Sequence, residues 1–192
     1  NAPRGRICLV ADYAPRRSIE QRFGLALGDA ELIVFNSPGG QATQRGEYTE
    51  EQNWLRVQAE LGLSDEDLSF FRREFWAGDK LDTALIDYIR RLRPHYQTAI
   101  ISNAMPGLMA LLTGKHPIAD AFDVIIGSGD VGIAKPDPAI YQMALTQLGR
   151  RPEEAIFIDD SQRNIKGAHA VGLHTIHYTP GLDLIAALKG YG

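Results

Sequence analysis

The segment from Ala155 to Tyr178 restricts the fold of this chain more than any other stretch. Its first four residues are all apolar, a pattern typical of a parallel strand that is buried on both faces. Asp159 and Asp160 end that strand. A helical pattern follows, Gly172 closes it, and residues 173–178 have the pattern of the next strand. The segment therefore predicts a strand, a helix and a second strand of a parallel sheet, with two carboxylates at the end of the first strand.

Two adjacent carboxylates repel each other unless a cation or a helix N-terminus offsets their charge. Open α/β sheets bind ligands at the carboxyl ends of their strands, and Mg²⁺ prefers oxygen donors of this kind. The alternative is that Asp160 or Ser161 caps the helix that follows. A cap requires only one side chain, so the second carboxylate favours the metal interpretation.

The rest of the chain also alternates between strand and helix patterns. An apolar first strand, residues 7–11, ends at Asp12, and further apolar strands are predicted at 98–101 and 122–126. Residues 13–82 interrupt this alternation, because they have little strand character and several helical patterns. The order predicts an α/β fold with a doubly wound parallel sheet and a helical insert.

Short signals predict where individual helices begin. Thr49 precedes an apolar helical pattern and forms a capping-box sequence with Gln52, and Ser64 precedes the next helical pattern in the same way. Asp137 followed by Pro138 predicts another helix start, outside the insert.

The composition excludes several classes of partner. The chain of 192 residues has a net charge of -4, which gives no general attraction to nucleic acid or to an anionic membrane. No apolar stretch approaches the length of a membrane span, and no signal peptide is recognisable. The one cysteine, Cys8, excludes an internal disulfide and lies in an apolar run, which predicts core packing and a reducing, cytoplasmic compartment. The oligomeric state has no sequence signature.

Polar side chains end three of the predicted strands at one edge of the sheet, and a lysine lies in a loop near them: Asp12, Ser102, Asn103, Asp159, Asp160 and Lys135. Taken singly, Ser102 and Asn103 could cap a helix, and Lys135 could be a solvated surface lysine. Together the six supply a carboxylate nucleophile, hydroxyl and amide donors, a cation and a metal site. Phosphoryl transfer requires such a set, because its catalysis consists mostly of positioning and charge neutralisation.

Three segments resemble motifs of a known family. I-I-S-N-A (100–104), K-P-D-P-A-I-Y (135–141) and F-I-D-D-S-Q-R-N-I (157–165) are similar to the second, third and fourth motifs of the haloacid-dehalogenase-like (HAD) hydrolase superfamily. The chain most resembles the branch that includes the phosphatase domain of bifunctional epoxide hydrolases. The resemblance implies a Rossmann-like core, residues 1–12 and 83–192, and a helical cap across the site, residues 13–82.

The same resemblance implies the roles of the strand-end residues. Ser102 and Asn103 would bind the transferring phosphoryl group of a phosphorylated small molecule, and Lys135 would neutralise it. Lys135 is expected to pair with Asp159 or Asp160 when no phosphate is present.

The implied cofactor is Mg²⁺, held by Asp159 and Asp160 together with Asp12. We therefore expect at least one of the two adjacent aspartates to lie within metal-coordinating reach of Asp12.

The first motif departs from the family pattern. The family reads Asp-x-Asp-Gly-Thr/Val-Leu, or in this branch often Asp-x-Gly-Gly-Val-Leu, whereas Asp12 is followed by Tyr-Ala-Pro-Arg. Ala14 occupies the position of the general acid, and the glycine turn is missing. Residues 15–24 look like sequence that the family has some way beyond the nucleophile. Asp12 is therefore either the nucleophile of a shortened motif or an ordinary residue brought to the strand end by a deletion, and both interpretations stay open.

Three functions follow from these patterns. The first is a Mg²⁺-dependent phosphomonoester hydrolase that works through an aspartyl-phosphate on Asp12, with weak activity because of Ala14. The second is a catalytically impaired protein of the same fold that acts as a binding or interaction module. The third, a metal-free haloacid dehalogenase, is disfavoured because a carbon–halogen site has no use for the clustered carboxylates of Asp159 and Asp160.

Overall fold

The computed structural model describes residues 8–191. The strands in this range are β1 Leu9–Ala11, β2 Asp79–Leu81, β3 Ala99–Ser102, β4 Val124–Gly127, β5 Ile156–Asp159 and β6 His174–His177. The α-helices are α1 Ala14–Phe23, α2 Asp29–Glu31, α3 Pro38–Gln44, α4 Glu50–Leu61, α5 Asp65–Ala77, α6 Thr83–Leu92, α7 Leu108–Thr113, α8 Ser128–Val131, α9 Pro138–Leu148, α10 Gln162–Ala170 and α11 Leu184–Leu188. A π-helical turn, Leu32–Asn36, follows α2. None of the helices between residues 8 and 191 is long and apolar enough to cross a membrane.

Several helices begin where the sequence signals predict. Thr49 caps α4 and forms a reciprocal capping box with Gln52. Ser64 caps α5, and Asp137 caps α9 with its side chain. α9 ends at Gly149, whose φ of 64° lies in the left-handed region that favours glycine. Local hydrogen bonds to the first and last turns therefore fix these boundaries.

The four strands from residue 99 onward form two parallel pairs. β3 pairs with β4, and β5 pairs with β6, where Asp159 lies opposite His177. α9 packs against both pairs: it contacts β3 and β4, and its Tyr141 ring meets the Phe157 ring of β5 edge-on at 5.1 Å. One hydrophobic cluster includes Val124 of β4 and Phe157 of β5. This alternation of helices and parallel strands confirms the predicted α/β class.

A second hydrophobic core lies among the helices of residues 14–77, called here the helical layer. Its fully buried apolar side chains come from α1, α2, the π-helical turn, α4 and α5, and they include Ile19, Val34, Trp54, Val57, Phe71 and Phe75. The ring of Trp54 meets the ring of Phe75 edge-on at 5.7 Å. The helical layer therefore has a core of its own, and the assignment of residues 13–82 as a separate cap domain stays a prediction.

β1 pairs antiparallel with β2, with Leu9 opposite Leu81. The sequence does not predict β2, because a polar three-residue strand directly before the helix cap Asp82 has no detectable period. Within residues 8–191, neither β1 nor β2 pairs with any other strand. The predicted single sheet is therefore present as three two-stranded units. Ile7, which the predicted first strand included, lies outside the described residues.

Arg16 holds together the two chain segments that connect the helical layer to β1 and β2. Its side chain is 4% exposed and donates to Asp79 Oδ1 at 2.9 Å and to the Phe75 carbonyl at 3.1 Å. Beside it, the backbone N–H of Asp12 donates to the Gly78 carbonyl at 2.8 Å. The start and the end of the helical layer are thus bonded side by side.

Replacement of Gly78 by Ala tests this close approach. A Cβ atom at Gly78 would lie 1.9 Å from the Asp12 carbonyl oxygen, so the backbone of one segment must shift. We expect the variant to lose roughly 1–3 kcal/mol of unfolding free energy in urea titrations, as overpacking typically costs. Gly190→Ala is the matched control, because nothing lies within 4 Å of its added Cβ. Equal unfolding midpoints for the two variants would contradict the contact.

The Cys8 thiol provides a second test. It packs against the cluster around Ile86, as its apolar context predicts, and burial together with the charge of Asp82 raises its pKa to about 11. A raised thiol pKa means that little thiolate exists at neutral pH, and thiolate is the reactive form. We expect alkylation of the folded protein by iodoacetamide to accelerate until about pH 11. The urea-unfolded protein should reach its maximum rate at a lower pH; coincident profiles would refute the assignment.

Candidate functional site

The Lys135 ammonium group lies between the carboxyl ends of β3 and β5. Its Nζ donates to the Ile101 carbonyl at 2.7 Å and to Asp159 Oδ2 at 2.7 Å. The Lys135 and Asp159 side chains are 10% and 5% exposed. The predicted pairing of Lys135 with one of the two aspartates is confirmed, and a solvated surface lysine is excluded.

Asn103 fixes the backbone that carries Lys135. Its Oδ1 accepts from the Lys135 N–H at 2.8 Å, and its Nδ2 donates to the Lys135 carbonyl at 2.9 Å. The amide is thus bound at both ends to main chain. The Asn103 amide therefore holds the loop of Lys135 in place. Only its remaining N–H and lone pair could contact a ligand directly.

Asp159 is fully engaged by the protein. Besides Lys135, it accepts from the Ser161 N–H at 2.8 Å and from Asn164 Nδ2 at 3.0 Å. Asn164 in turn accepts through its carbonyl from the Tyr141 hydroxyl at 2.9 Å. Burial of that hydroxyl, and then the charge of Asp159, raise the pKa of Tyr141, so the phenol stays a neutral donor.

The alternative that Ser161 caps the helix with its side chain finds no support. Ser161 is the N-cap residue of α10, but its side chain makes no cap hydrogen bond. A carboxylate oxygen of Asp159 accepts the backbone N–H of Ser161 at this helix start. Asp160 is half-buried, and its carbonyl faces His177 Nε2 at 3.0 Å. Because a carbonyl only accepts, that ring nitrogen is the donor in this contact.

Ser102 ends β3 directly before Asn103 and is half-buried. Its register partner is Gly127 at the end of β4. Ser102 therefore lies at the carboxyl end of β3, one residue after the Ile101 carbonyl that accepts from Lys135 Nζ, and a hydroxyl there could donate to an anion.

Asp12 stands apart from this group in its contacts. It is exposed, it follows β1, and its Oδ1 accepts from the Ala14 N–H at 2.9 Å. No hydrogen bond or ion pair among residues 8–191 joins it to Lys135 or Asp159. The structure thus brings Asn103, Lys135 and Asp159 into direct contact but does not join Asp12 to them.

The carboxylates fit Mg²⁺ as an ion that keeps several water ligands. No group of three or more His, Cys, Asp or Glu side chains in the described part of the chain could hold a metal. Mg²⁺ often takes only one or two protein carboxylates and completes its octahedron with water and substrate phosphate. Asp160, next to the paired Asp159, offers oxygen donors of this kind. The predicted metal set of Asp12, Asp159 and Asp160 stays a prediction.

The sequence patterns do not identify three supporting residues. Asn164 orients Asp159, His177 contacts Asp160, and Ser128 bonds the backbone next to Asn103. Asn164 and His177 lie within or beside the segment around the two aspartates, so their proximity was available as a signal. Ser128 had none, because it lies far from Asn103 in the sequence and resembles any small polar residue at a helix start.

A family model described as haloacid dehalogenase-like hydrolase matches residues 15–172. The matched range includes the helical layer and the segments of Ser102, Lys135 and Asp159. It begins after Asp12.

Two relatives of this chain are phosphatases. The chain is 26% identical over 173 residues to D-ribitol-5-phosphate phosphatase of Bacteroides thetaiotaomicron, a match that covers 84% of this chain and 82% of that protein. It is 35% identical over 85 residues to phosphoserine phosphatase of Thermus thermophilus, a match that covers 44% of this chain and 34% of that protein. The chain therefore spans only about a third of the length of the second relative.

A solved structure of similar fold is a HAD family enzyme from Bacteroides thetaiotaomicron in complex with magnesium and inorganic phosphate. It superposes with a TM-score of 0.79 at 20% identity and covers 95% of this chain and 94% of that one. At this identity the similarity concerns the fold.

A double-mutant cycle tests the buried ion pair. Lys135→Met leaves the Asp159 charge buried without its counter-charge, and we expect a loss of about 3–5 kcal/mol of unfolding free energy. Asp159→Asn should also destabilise, while the double variant should lose less than the sum of the two. The exposed pair of Arg151 and Glu154 is the matched control, in which Arg151→Met and Glu154→Gln should change the urea midpoint little. Additive losses at Lys135 and Asp159 would show that the two groups do not interact.

Proposed function

Because the chain belongs to the haloacid dehalogenase-like hydrolase family, we propose that it hydrolyses phosphomonoesters of small molecules. The phosphatase relatives support this substrate class. The observation that carries the proposal is the buried Lys135 ammonium, which lies at the ends of β3 and β5. A fixed cation is suited to the oxygens of a phosphoryl group, where charge must be neutralised.

In the proposed reaction, the chain first binds and orients the phosphoryl group, and its Asp12 side chain then acts as the nucleophile. Lys135 and Ser102 donate to the phosphoryl oxygens, and Asn103 keeps the Lys135 backbone in position. An Asp12 carboxylate oxygen attacks phosphorus, the bond from phosphorus to the ester oxygen breaks, and water then hydrolyses the aspartyl-phosphate. Mg²⁺, when bound through Asp160, would supply neutralising charge to the phosphate.

The leaving alcohol must take a proton, and Ala14 cannot give one. Positioned acid catalysis typically contributes about 10²–10⁴-fold. Ordinary alkyl phosphates should therefore react very slowly. An activated ester such as p-nitrophenyl phosphate needs much less help, because p-nitrophenolate leaves without a proton.

A second candidate function is that of a phosphate-binding or interaction module without turnover. The specific observation in its favour is Asp12, which lies outside the range matched by the family and makes its side-chain bond to Ala14. In this alternative the Lys135 and Asp159 pair binds an anion or only stabilises the fold.

Turnover of p-nitrophenyl phosphate with and without Mg²⁺ tests the proposal. We expect slow, Mg²⁺-dependent release of p-nitrophenolate, loss of that activity in Asp12→Asn, and very poor release of phosphate from simple sugar phosphates. Chloride release from 2-chloroacids, measured in parallel, tests the dehalogenase alternative.

Each result separates the candidates. Full activity in Asp12→Asn would mean that the nucleophile lies elsewhere. No turnover of any phosphate ester would favour the binding module. Rapid hydrolysis of sugar phosphates would contradict the role given to Ala14.

A further inference from the structure

Met105 belongs to the loop between β3 and α7 but is buried in the core of the helical layer. Its side chain is 8% exposed and clusters with residues of that layer, among them Trp54, Phe71 and Phe75. The loop therefore sends an apolar side chain into the helical layer two residues after Asn103.

The backbone on both sides of Met105 is held by α8. Ser128 is fully buried, and its hydroxyl accepts from the Ala104 N–H at 3.1 Å and donates to the Ala104 carbonyl at 3.2 Å. Asp130 accepts from the Gly107 N–H at 2.6 Å. The loop is thus fixed at each end, and Met105 fixes its middle against the helical layer.

The helical layer also approaches the backbone of α8 closely. A Cβ atom at Gly46 would lie 2.4 Å from the Gly129 carbonyl oxygen, and a Cβ atom at Gly129 would lie 2.5 Å from the Pro106 nitrogen. Glycine is needed at both positions because three backbone segments meet there. A shift of the helical layer would therefore be passed to the loop rather than absorbed by side chains.

We infer that Met105 is a positioning residue: through the loop it shares with Asn103, the packing of the helical layer sets the position of the Lys135 ammonium. The path from Met105 to Lys135 is short, since Asn103 lies two residues before Met105 and bonds both the N–H and the carbonyl of Lys135. Met105 itself makes no hydrogen bond or ring contact with Lys135 among the described residues. Its effect must pass through the backbone of the loop. The consequence for catalysis rests on the proposed function, whereas the mechanical link does not.

A mutant cycle between Met105 and Lys135 tests the link without any assay of activity. Residues without contact or shared partners usually contribute additively to stability. The double variant carries both Met105→Ala and Lys135→Met. We expect its urea midpoint to fall by less than the sum of the shifts of the two single variants, because Met105→Ala already weakens the contacts of Lys135. Met109→Ala is the matched control, since Met109 is 51% exposed on α7 and should combine additively with Lys135→Met.

The kinetic arm uses p-nitrophenyl phosphate. Loss of Met105 should lower kcat/KM by about tenfold or more, because small displacements of a positioning group cost much catalysis. Met105→Leu, of similar volume, should restore most of the activity, and Met109→Ala should leave it unchanged. If Met105→Ala does not fold, Met105→Val replaces it in both arms.

The outcomes distinguish the two proposals. Additive shifts in the cycle with Lys135 would overturn the inference, whatever the activity. Absent turnover in the parent protein would instead overturn the proposed hydrolysis, and the cycle would still decide the role of Met105.

Discussion

The buried ammonium group of Lys135 is the constraint on which the site depends. An ammonium so little exposed must be paired and hydrogen-bonded, and its partners come from two separate strand pairs, Ile101 of β3 and Asp159 of β5. The surrounding structure holds both members of the ion pair in place. Asn103 fixes the loop that carries Lys135, and Asn164 orients the Asp159 carboxylate. The polar groups at these strand ends thus form one connected network.

In the proposed reaction, that network would couple stability to ligand binding. A phosphoryl group that approaches Lys135 must compete with Asp159 for the ammonium, so binding requires the pair to loosen. Asp159 can tolerate this, because the Ser161 N–H and Asn164 continue to donate to it. A second cation near Asp160 would offset the carboxylate charge that such loosening exposes, which gives a physical reason for phosphate and Mg²⁺ to bind together.

The sequence was informative wherever a local pattern controls the structure. Caps at Thr49 and Asp137 were predictable because their bonds reach only two or three residues along the chain. The pairing of Lys135 with Asp159 was predictable only through the family resemblance, since the two lie 24 positions apart. The contact of Met105 with the helical layer and the pairing of β1 with β2 were not predictable, because they depend on how layers meet rather than on any local period.

Asp12 and Lys135 owe their positions to different parts of the molecule. Asp12 is held by the N–H of Ala14 and by the backbone bond to Gly78, both beside the helical layer and the β1–β2 pair. Lys135 is held by β3, β5 and the loop of Asn103. In the proposed reaction, anion binding would use only the contacts around Lys135, whereas turnover would need Asp12 and Lys135 to be aligned at once. Anion binding is therefore the property that the Lys135 contacts most directly support, and hydrolysis depends in addition on how β1 is positioned against β3 and β5.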